Sequence, residues 1–362
     1  MDGLYVMAGG GTGGHVLPGL AVARELRRRG HSVLFVGTEQ GVETRLAPRE
    51  GFDLELLRVG ALKRVSWKRR LKTVWELPAS LVESAGLLER KRPRAVLSLG
   101  GYAAGPVSLM ALTEGIPVVA LEPNAWPGFT HRRIGPFVSR ALLCFEQAAG
   151  FFPPGRWELT GVPIREEFFQ IPLRIHRSPF TVLVTGGSQG SHRLNTAAAA
   201  SLPLWVRAGW QERIVFIHQT GEREYNEVCA RYRESGLPAE VAPFLEDMPG
   251  ALARADLVVC RCGASTVAEL SAAGRAALLV PFPFSADQHQ LRNAEAIEAA
   301  GAARLVEDRA LDGARLFAEV RSLLEDPPRV AAMEQAARHL ARPGAARRAA
   351  QVLTEVGRLA IC

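Results

Sequence analysis

Short apolar runs alternate along the chain with longer stretches whose apolar residues recur at helical spacing. Uninterrupted apolar runs predict buried strands, and the helical spacing predicts the helices that cover them. In the first half of the chain the predicted strands are residues 4–8, 32–36, 95–99, 116–121 and 141–145, with a first helix near 17–29. This alternation is typical of parallel strands with helices between them.

The same pattern starts again in the second half. Strands are predicted at residues 180–185, 213–219, 256–260 and 276–281, with a helix at 193–200. Residues 161–179 contain three prolines and are typical of a connection between domains. The sequence therefore predicts an α/β protein with two Rossmann-like, doubly wound domains, residues 1–162 and 163–340. A last helix within residues 341–362 is expected to pack back on the first domain.

The composition narrows the class of partner without naming it. With 362 residues and 48% hydrophobic side chains, the chain is long enough to bury two cores. The net charge of +7 favours an anionic partner, such as nucleic acid, a phosphorylated substrate or an acidic membrane. Five cysteines without paired spacing argue against a disulfide framework or a zinc ribbon. We expect neither a secretory nor a membrane-spanning segment.

Three glycine-rich turns follow predicted strands. Residues 9–15 fit the G-x-G-x-x-G spacing, in which glycines allow close backbone approach and a helix amino terminus offers N–H groups to a phosphate. Alone, this turn favours a nicotinamide or flavin enzyme, with Glu39 as a possible ribose ligand. Further turns at residues 100–106 and 186–190 favour a substrate that carries both phosphates and sugars. For any single turn, a simple tight connection is the alternative.

Polar residues at these turns are candidates for chemistry. His15 lies where a loop meets a helix amino terminus, whose positive field favours a neutral imidazole that can accept a proton. A lone histidine is as often structural. Glu122 follows an apolar strand, where open sheets bind ligands. Thr266 and Glu269 suit a phosphate and a ribose, although their spacing also fits a capping box.

The motifs become specific when they are taken in order. They are Gly10-Gly11-Thr12-Gly13-Gly14-His15, Gly100-Gly101-Tyr102, Glu122-Pro123-Asn124-Ala125, Gly161-Val162-Pro163-Ile164-Arg165, Gly186-Gly187-Ser188-Gln189-Gly190, residues 260–269, and His289-Gln290 with Asn293-Ala294. The set resembles the bacterial peptidoglycan N-acetylglucosaminyltransferases, the MurG family, which has the GT-B fold. The resemblance covers essentially the whole chain. It implies transfer of N-acetylglucosamine (GlcNAc) from UDP-GlcNAc to the C4 hydroxyl of N-acetylmuramic acid in undecaprenyl-pyrophosphoryl-MurNAc-pentapeptide (lipid I), which gives lipid II for peptidoglycan synthesis.

The resemblance also implies a division of binding residues. The donor nucleotide would lie mainly on the second domain and the lipid-linked acceptor on the first. The implied donor contacts are Thr12, Gly13, Gly14, Asn124, Arg165, Ser188, Leu245, Ala264, Ser265, Thr266, Glu269 and Gln290. Among them, Leu245 would meet the uracil through its backbone and Glu269 the ribose, and Gln290 with Asn124 would meet the sugar. The implied contacts to the acceptor diphosphate are Gly11, Gly13, Gly101 and Tyr102.

The implied reaction inverts the anomeric carbon, and a base removes the proton of the attacking hydroxyl. His15 is the first candidate for this base and Glu122 the second. Helix amino termini and hydroxyls would hold the leaving charge. Because no Asp-x-Asp motif occurs, we expect no essential metal and no other cofactor. The chain departs from the family at residues 121–124, Leu-Glu-Pro-Asn instead of the usual His-Glu-Gln-Asn, and at Ser265, where relatives have Leu or Thr.

Residues 60–78 interleave basic with apolar side chains. The expected membrane contacts are Lys63, Trp67, Lys68, Arg69, Leu71 and Trp75. Tryptophan and leucine beside lysine and arginine suit the headgroup boundary of an anionic leaflet. We therefore expect a peripheral protein on the cytoplasmic face of the cell membrane. The alternative is a solvated basic loop with its tryptophans in the core, and no nucleic-acid motif accompanies the stretch.

Other functions compete with this interpretation. A nicotinamide-dependent oxidoreductase is supported by the first glycine turn alone. A related nucleotide-sugar enzyme, such as a glycolipid synthase or a UDP-GlcNAc 2-epimerase, would share the fold, but the basic stretch argues against the epimerase. A non-catalytic nucleotide-sugar or lipid-binding protein has only the altered residues 121–124 in its favour.

Overall fold

The computed structural model of the protein describes residues 3–11, 13–57, 67–175 and 178–359, and for residues 67–77 it describes the backbone alone. The chain divides into two compact units, residues 1–165 with 344–362, and residues 166–343. The first unit ends at Arg165 rather than at the predicted residue 162, because the amides of Thr160 and Gly161 donate to Leu143 O and keep this stretch on the first sheet. The second unit ends at Pro343 rather than at residue 340.

The first unit is a parallel sheet of seven described strands with helices on both faces. Its elements are β1 (Leu4–Gly9), α1 (Gly13–Arg28), β2 (Ser32–Thr38), α2 (Glu43–Arg49), β3 (Asp53–Leu57), α3 (Trp67–Lys91), β4 (Ala95–Gly100), α4 (Ala104–Thr113), β5 (Val118–Glu122), α5 (Phe129–Ile134), β6 (Arg140–Leu143) and β7 (Trp157–Leu159). The strand order is β3-β2-β1-β4-β5-β6-β7. The central strands are apolar and buried on both faces, as a helix-covered parallel sheet requires.

The second unit repeats this plan with six described strands, all parallel. Its elements are β8 (Phe180–Thr185), α6 (His192–Arg207), β9 (Ile214–Gln219), α7 (Tyr225–Ser235), β10 (Ala239–Ala242), α8 (Met248–Arg254), β11 (Leu257–Cys260), α9 (Ala264–Ala273), β12 (Ala277–Leu279), α10 (His289–Ala299), β13 (Ala303–Leu305), α11 (Gly313–Leu324) and α12 (Pro327–Leu340). The strand order is β10-β9-β8-β11-β12-β13. Several helices begin with a side-chain cap, such as Asp312, which accepts from Arg315 N at 2.7 Å.

The last helix, α13 (Ala345–Leu359), returns to the first unit and packs against α1. Its apolar residues recur at helical spacing, and Ala349, Leu353 and Val356 join the core on that face of the sheet. None of the helices in the described part of the chain combines the length and apolar character that crossing a membrane requires.

The strands predicted from uninterrupted apolar runs are confirmed, with small shifts at their ends. The pattern missed β3, β7, β10 and β13, which are short strands at or near the sheet edges. In both units the strand order reverses beside the first strand, between β1 and β4 and between β8 and β11. Ligands of doubly wound folds bind at the carboxyl ends of the strands that flank this switch point.

Candidate functional site

Two of the predicted glycine turns meet at the switch point of the first unit. Gly101 has a left-handed φ of 83°, and a β-carbon there would lie 2.7 Å from Gly10 O, so only glycine allows this approach. His15 lies in the first turn of α1, half-buried, and its ring lies against Gly100, where a β-carbon would be 3.3 Å from His15 Cε1. The structure therefore brings His15 together with the turn that holds Gly101, and the exposed Tyr102 follows it.

A buried carboxylate that the sequence analysis missed supports the first glycine turn. Glu43 accepts from the amides of Gly11 and Thr38, both at 2.8 Å, and is fully buried. A β-carbon at Gly10, Gly37 or Gly41 would collide with this side chain. The Gly11 amide therefore donates to Glu43, and the expected contact of Gly11 with the acceptor diphosphate stays a prediction that this amide does not support. Gly13 and Gly14 begin α1 and are half-buried.

Glu122, the second candidate base, is 2% exposed and ties down the loop after β5. Its carboxylate accepts from the amides of Asn124 (2.9 Å) and Gly128 (3.0 Å) and from Asn124 Nδ2 (3.1 Å), and it lies 2.8 Å from His131 Nδ1. His131 Nε2 in turn lies 3.1 Å from Ser98 Oγ. The side-chain amide of Asn124, expected to contact the sugar, is thus held by Glu122.

The environment of Glu122 favours its ionised form. Burial on its own raises the pKa of this carboxyl, but the hydrogen bond and the charge of His131, with the amides of Asn124 and Gly128, outweigh burial. The pKa therefore lies below its ordinary value of 4.5. A buried carboxylate with these partners suits loop ordering better than proton transfer, so the geometry favours His15 over Glu122 as the base.

In the second unit, the glycine turn after β8 packs on the end of β9. Gly190 has a φ of 70°, and a β-carbon there would collide with Thr220 O. Ser188 is exposed within this turn. Leu245 lies nearby in the loop after β10, and its amide donates to Gln219 Oε1 at 2.9 Å. A backbone contact from Leu245 to a nucleobase would therefore use the Leu245 carbonyl oxygen.

The amino terminus of α9 forms the other side of this switch point. Its N-cap is Gly263, and no side chain caps it, so the alternative in which Thr266 and Glu269 form a capping box is wrong. Thr266, Ser265 and Glu269 are half-buried and Ala264 is buried, all within the first two turns. Ser265 Oγ is buried without a hydrogen-bond partner among the described residues. The backbone N–H groups of this first turn suit an anion.

Gln290 connects two loops at the same edge. Its Oε1 accepts from the amides of Cys262 (3.1 Å) and Phe282 (3.0 Å), which leaves its NH2 group for a sugar. Just before it, Asp287 and Gln288 adopt left-handed φ angles of 47° and 57°. Strained backbone of this kind is often found at ligand sites.

Some expected contacts have a different setting. Arg165 is exposed and belongs to the first unit, not to the second domain as predicted. Thr12 and Lys63 lie outside the described residues. Trp67, Lys68, Arg69, Leu71 and Trp75 lie in the part of α3 where the backbone alone is described. Within the described ranges, no three His, Cys, Asp or Glu side chains cluster as a metal ion would require.

Three side chains of the site, Glu43, His131 and Gln219, are not predicted from the sequence. Their roles depend on tertiary contacts, such as the 32 residues that separate Glu43 from Gly11. A signal for Glu43 was present in the glycines at 37 and 41, which leave room for a buried side chain. A signal for Gln219 was the polar sequence His218-Gln219-Thr220 at the end of an apolar strand.

Comparison with known proteins covers both units. The glycosyltransferase family 28 N-terminal domain matches residues 5–143 and the family 28 C-terminal domain matches residues 181–351. A protein of Solibacter usitatus (strain Ellin6076), named UDP-N-acetylglucosamine–N-acetylmuramyl-(pentapeptide) pyrophosphoryl-undecaprenol N-acetylglucosamine transferase, is 52% identical over 98% of this chain and 96% of its own. A protein of the same name from Myxococcus xanthus (strain DK1622) is 42% identical over 97% and 92%.

Solved structures show the same fold. The crystal structure of MurG from Acinetobacter baumannii has a TM-score of 0.82 and 28% identity, over 98% of this chain and 99% of that one. The glycosyltransferase of kitacinnamycin has a TM-score of 0.74 at 20% identity, over 98% and 99%. Below 25% identity such a likeness shows the fold alone.

Proposed function

The chain belongs to glycosyltransferase family 28, and on that basis we propose that it transfers GlcNAc from UDP-GlcNAc to the C4 hydroxyl of MurNAc in lipid I, forming lipid II. The observation that carries this proposal is the 52% identity, over 98% of the chain, with a relative whose name states this transfer. The candidate site supports it, because both switch points carry glycine turns and no side chain caps the amino terminus of α9.

The donor is proposed to bind mainly to the second unit. The first-turn amides of α9, with no side chain capping them, suit the diphosphate, and Ser188 lies in the facing glycine turn. Glu269 suits the two ribose hydroxyls, the Leu245 carbonyl suits the uracil, and the NH2 of Gln290, for which the described residues offer no acceptor, suits the GlcNAc. In this arrangement backbone dipoles hold the leaving charge, so the reaction is proposed to proceed without an essential metal.

The acceptor is proposed to bind to the first unit, with its diphosphate near Gly13, Gly101 and Tyr102. The C4 hydroxyl oxygen attacks the anomeric carbon of GlcNAc from the face opposite the diphosphate, and its proton passes to the His15 imidazole. The bond from the anomeric carbon to the phosphate oxygen breaks as the new glycosidic bond forms. UDP leaves with the electron pair, and the configuration inverts to a β linkage.

Membrane attachment is proposed through the basic stretch at residues 60–78, which would hold the enzyme on the cytoplasmic face beside its lipid-linked acceptor. Its basic residues, interleaved with tryptophan and leucine, support this position. Co-sedimentation with vesicles that contain anionic phosphatidylglycerol, but not with purely phosphatidylcholine vesicles, is the expected result. Equal binding to both would contradict an electrostatic anchor.

The deciding experiment is transfer of radiolabelled GlcNAc from its UDP donor to a short-chain lipid I analogue, with EDTA and with UDP-glucose and UDP-GalNAc as controls. We expect a donor-selective product that EDTA does not reduce. Absence of transfer despite measured UDP-GlcNAc binding would contradict the proposal, and release of free UDP with an epimerised sugar would indicate an epimerase instead.

A further inference from the structure

Three consecutive polar residues are almost completely buried where β9 ends: His218 and Gln219, the last two residues of the strand, and Thr220, which follows it. Buried polar side chains need hydrogen-bond partners within the protein, since water no longer supplies them. His218 uses its ring to contact Asn195 Oδ1 (3.1 Å) and Tyr232 OH (3.2 Å), away from the loops of the candidate site. Gln219 turns the other way, toward those loops.

The Gln219 amide makes contacts with two separate loops. Its Nε2 donates to Gly187 O at 2.8 Å, in the glycine turn after β8, and to Thr185 Oγ1 at 3.2 Å, at the end of that strand. Its Oε1 accepts from the amide of Leu245 at 2.9 Å, in the loop after β10. Thr185 Oγ1 also accepts from Gly187 N at 3.2 Å, which closes a small network around the turn.

Only an amide fits this position. The side chain must donate twice and accept once, and among side chains of this size glutamine offers both functions. A carboxylate could accept from Leu245 but would face the Gly187 carbonyl without a proton to donate. An aliphatic side chain would leave the Gly187 carbonyl and the Leu245 amide without this partner.

We infer that Gln219 is a positioning residue for the nucleotide, which fixes the distance between the glycine turn and the Leu245 loop. The inference rests on the proposed function, in which these two loops hold the diphosphate and the uracil of one UDP molecule. A ligand that bridges both loops gains affinity when their separation is fixed before binding, because the ordering cost has already been met by folding. Gln219 itself need not touch the nucleotide.

The test compares Gln219→Met with the control Tyr232→Phe. Methionine has a similar size and removes all three hydrogen bonds to the two loops. Tyr232→Phe removes a buried hydrogen bond to the neighbouring His218, on the side away from the loops. Both variants are expected to lose some thermal stability, so stability alone does not separate them.

The dissociation constant of UDP, measured by calorimetry, separates the two. We expect Gln219→Met to weaken UDP binding at least about tenfold and to raise KM for UDP-GlcNAc alike, with kcat at saturating donor changed less than about threefold. Tyr232→Phe should keep the wild-type dissociation constant. Unchanged UDP binding in a folded Gln219→Met protein, or a fall in kcat alone, would overturn the inference.

A second variant covers the case in which Gln219→Met does not fold. Thr185→Val removes the hydroxyl that Gln219 and Gly187 share and leaves the strand intact. It should weaken UDP binding about threefold, and an unchanged value would again count against the inference. If the wild-type protein itself binds no UDP, the proposed function fails instead, and the two failures are therefore distinguishable.

Discussion

The two units hold their loops with side chains of different charge. In the first unit buried carboxylates do this, with Glu43 under the first glycine turn and Glu122 under the loop after β5. In the second unit amides do the same, with Gln219 under the glycine turn and Gln290 under the loops after β11 and β12. The topology at the two switch points is the same, but the side chains beneath the loops are not.

This difference bears on which ligand each unit can hold. A carboxylate is a strong hydrogen-bond acceptor for loop amides, but its negative charge repels a nearby phosphate. An amide orders the loop and leaves the positive potential of the helix terminus for the anion. The comparison shows that equivalent glycine turns need not bind equivalent ligands. It favours the second unit for the nucleotide diphosphate. It also means that the proposed acceptor diphosphate on the first unit would depend on groups other than the Gly11 amide, which Glu43 already holds.

The largest expected effect is a fall in turnover when His15 of the first unit is replaced, with donor binding almost unchanged. His15→Ala should lower kcat by roughly 100-fold to 10,000-fold, because a positioned general base contributes about that much. The dissociation constant of UDP-GlcNAc should stay within about twofold of wild type, since the donor is proposed to bind mainly to the second unit. Turnover on the lipid I analogue and calorimetry with the donor measure the two. Nearly full turnover would remove His15 as the base.

Glu43→Ala tests the carboxylate under the first glycine turn. It leaves the amides of Gly11 and Thr38 without their buried acceptor, at a cost of about 3 kcal/mol in the free energy of unfolding. Hydrogen–deuterium exchange should show protection lost at these two amides, and Glu43→Gln, which keeps one acceptor oxygen, should lose less. Wild-type protection at Gly11 in Glu43→Ala would show that the turn does not depend on this side chain.

Glu122→Gln should cost about 2 kcal/mol at pH 7, through loss of the charge-assisted contacts to His131 and the loop amides. The sign with pH follows from the lowered pKa of Glu122. Its carboxylate stabilises the fold above the ordinary value of 4.5, and this contribution is lost as the pH falls through the lower folded pKa. Urea unfolding at several pH values should therefore show the gap between wild type and variant closing in acid. A gap independent of pH would contradict the role of the charge.

The amide of the second unit can be exchanged for a carboxylate without losing its two accepted hydrogen bonds. In Gln290→Glu the amides of Cys262 and Phe282 keep an acceptor, but a negative charge is added beside the amino terminus of α9. UDP binding should weaken about tenfold, and less so at high salt. Because UDP lacks the GlcNAc that the NH2 of Gln290 is proposed to contact, a weaker affinity for UDP reports the added charge alone. Wild-type affinity for UDP in this variant would break the comparison.

The smallest effect is expected at Ser265, whose hydroxyl is buried without a partner among the described residues. If backbone amides hold the diphosphate, Ser265→Ala should change the UDP dissociation constant by less than about twofold. Its stability should be equal to wild type or slightly higher, since an unpaired hydroxyl is removed. A tenfold loss of affinity would instead assign the phosphate contact to the side chain.

The sequence predicted the scaffold well because its central strands are continuous apolar runs, and a glycine ends β1 and β4 and follows β8. Strand 180–185 has the bounds that its pattern predicts, whereas β10 and β13 are too short and mixed to stand out. The sequence indicated that the site residues lie at the ends of strands, but it did not indicate which side chains contact each other there. Whether the Leu245 amide is open or already donated to Gln219, 26 residues away, is decided by tertiary packing that no local pattern records.

The return of α13 to the first unit determines the order in which the two units can be completed during synthesis. The chain leaves that unit at Arg165 and returns at Gly344, and Ala349, Ala350 and Leu353 fill part of its apolar core. During synthesis all the residues of the second unit are made before α13 exists. The unit begun first is therefore completed last, and until then its apolar face is open to a chaperone.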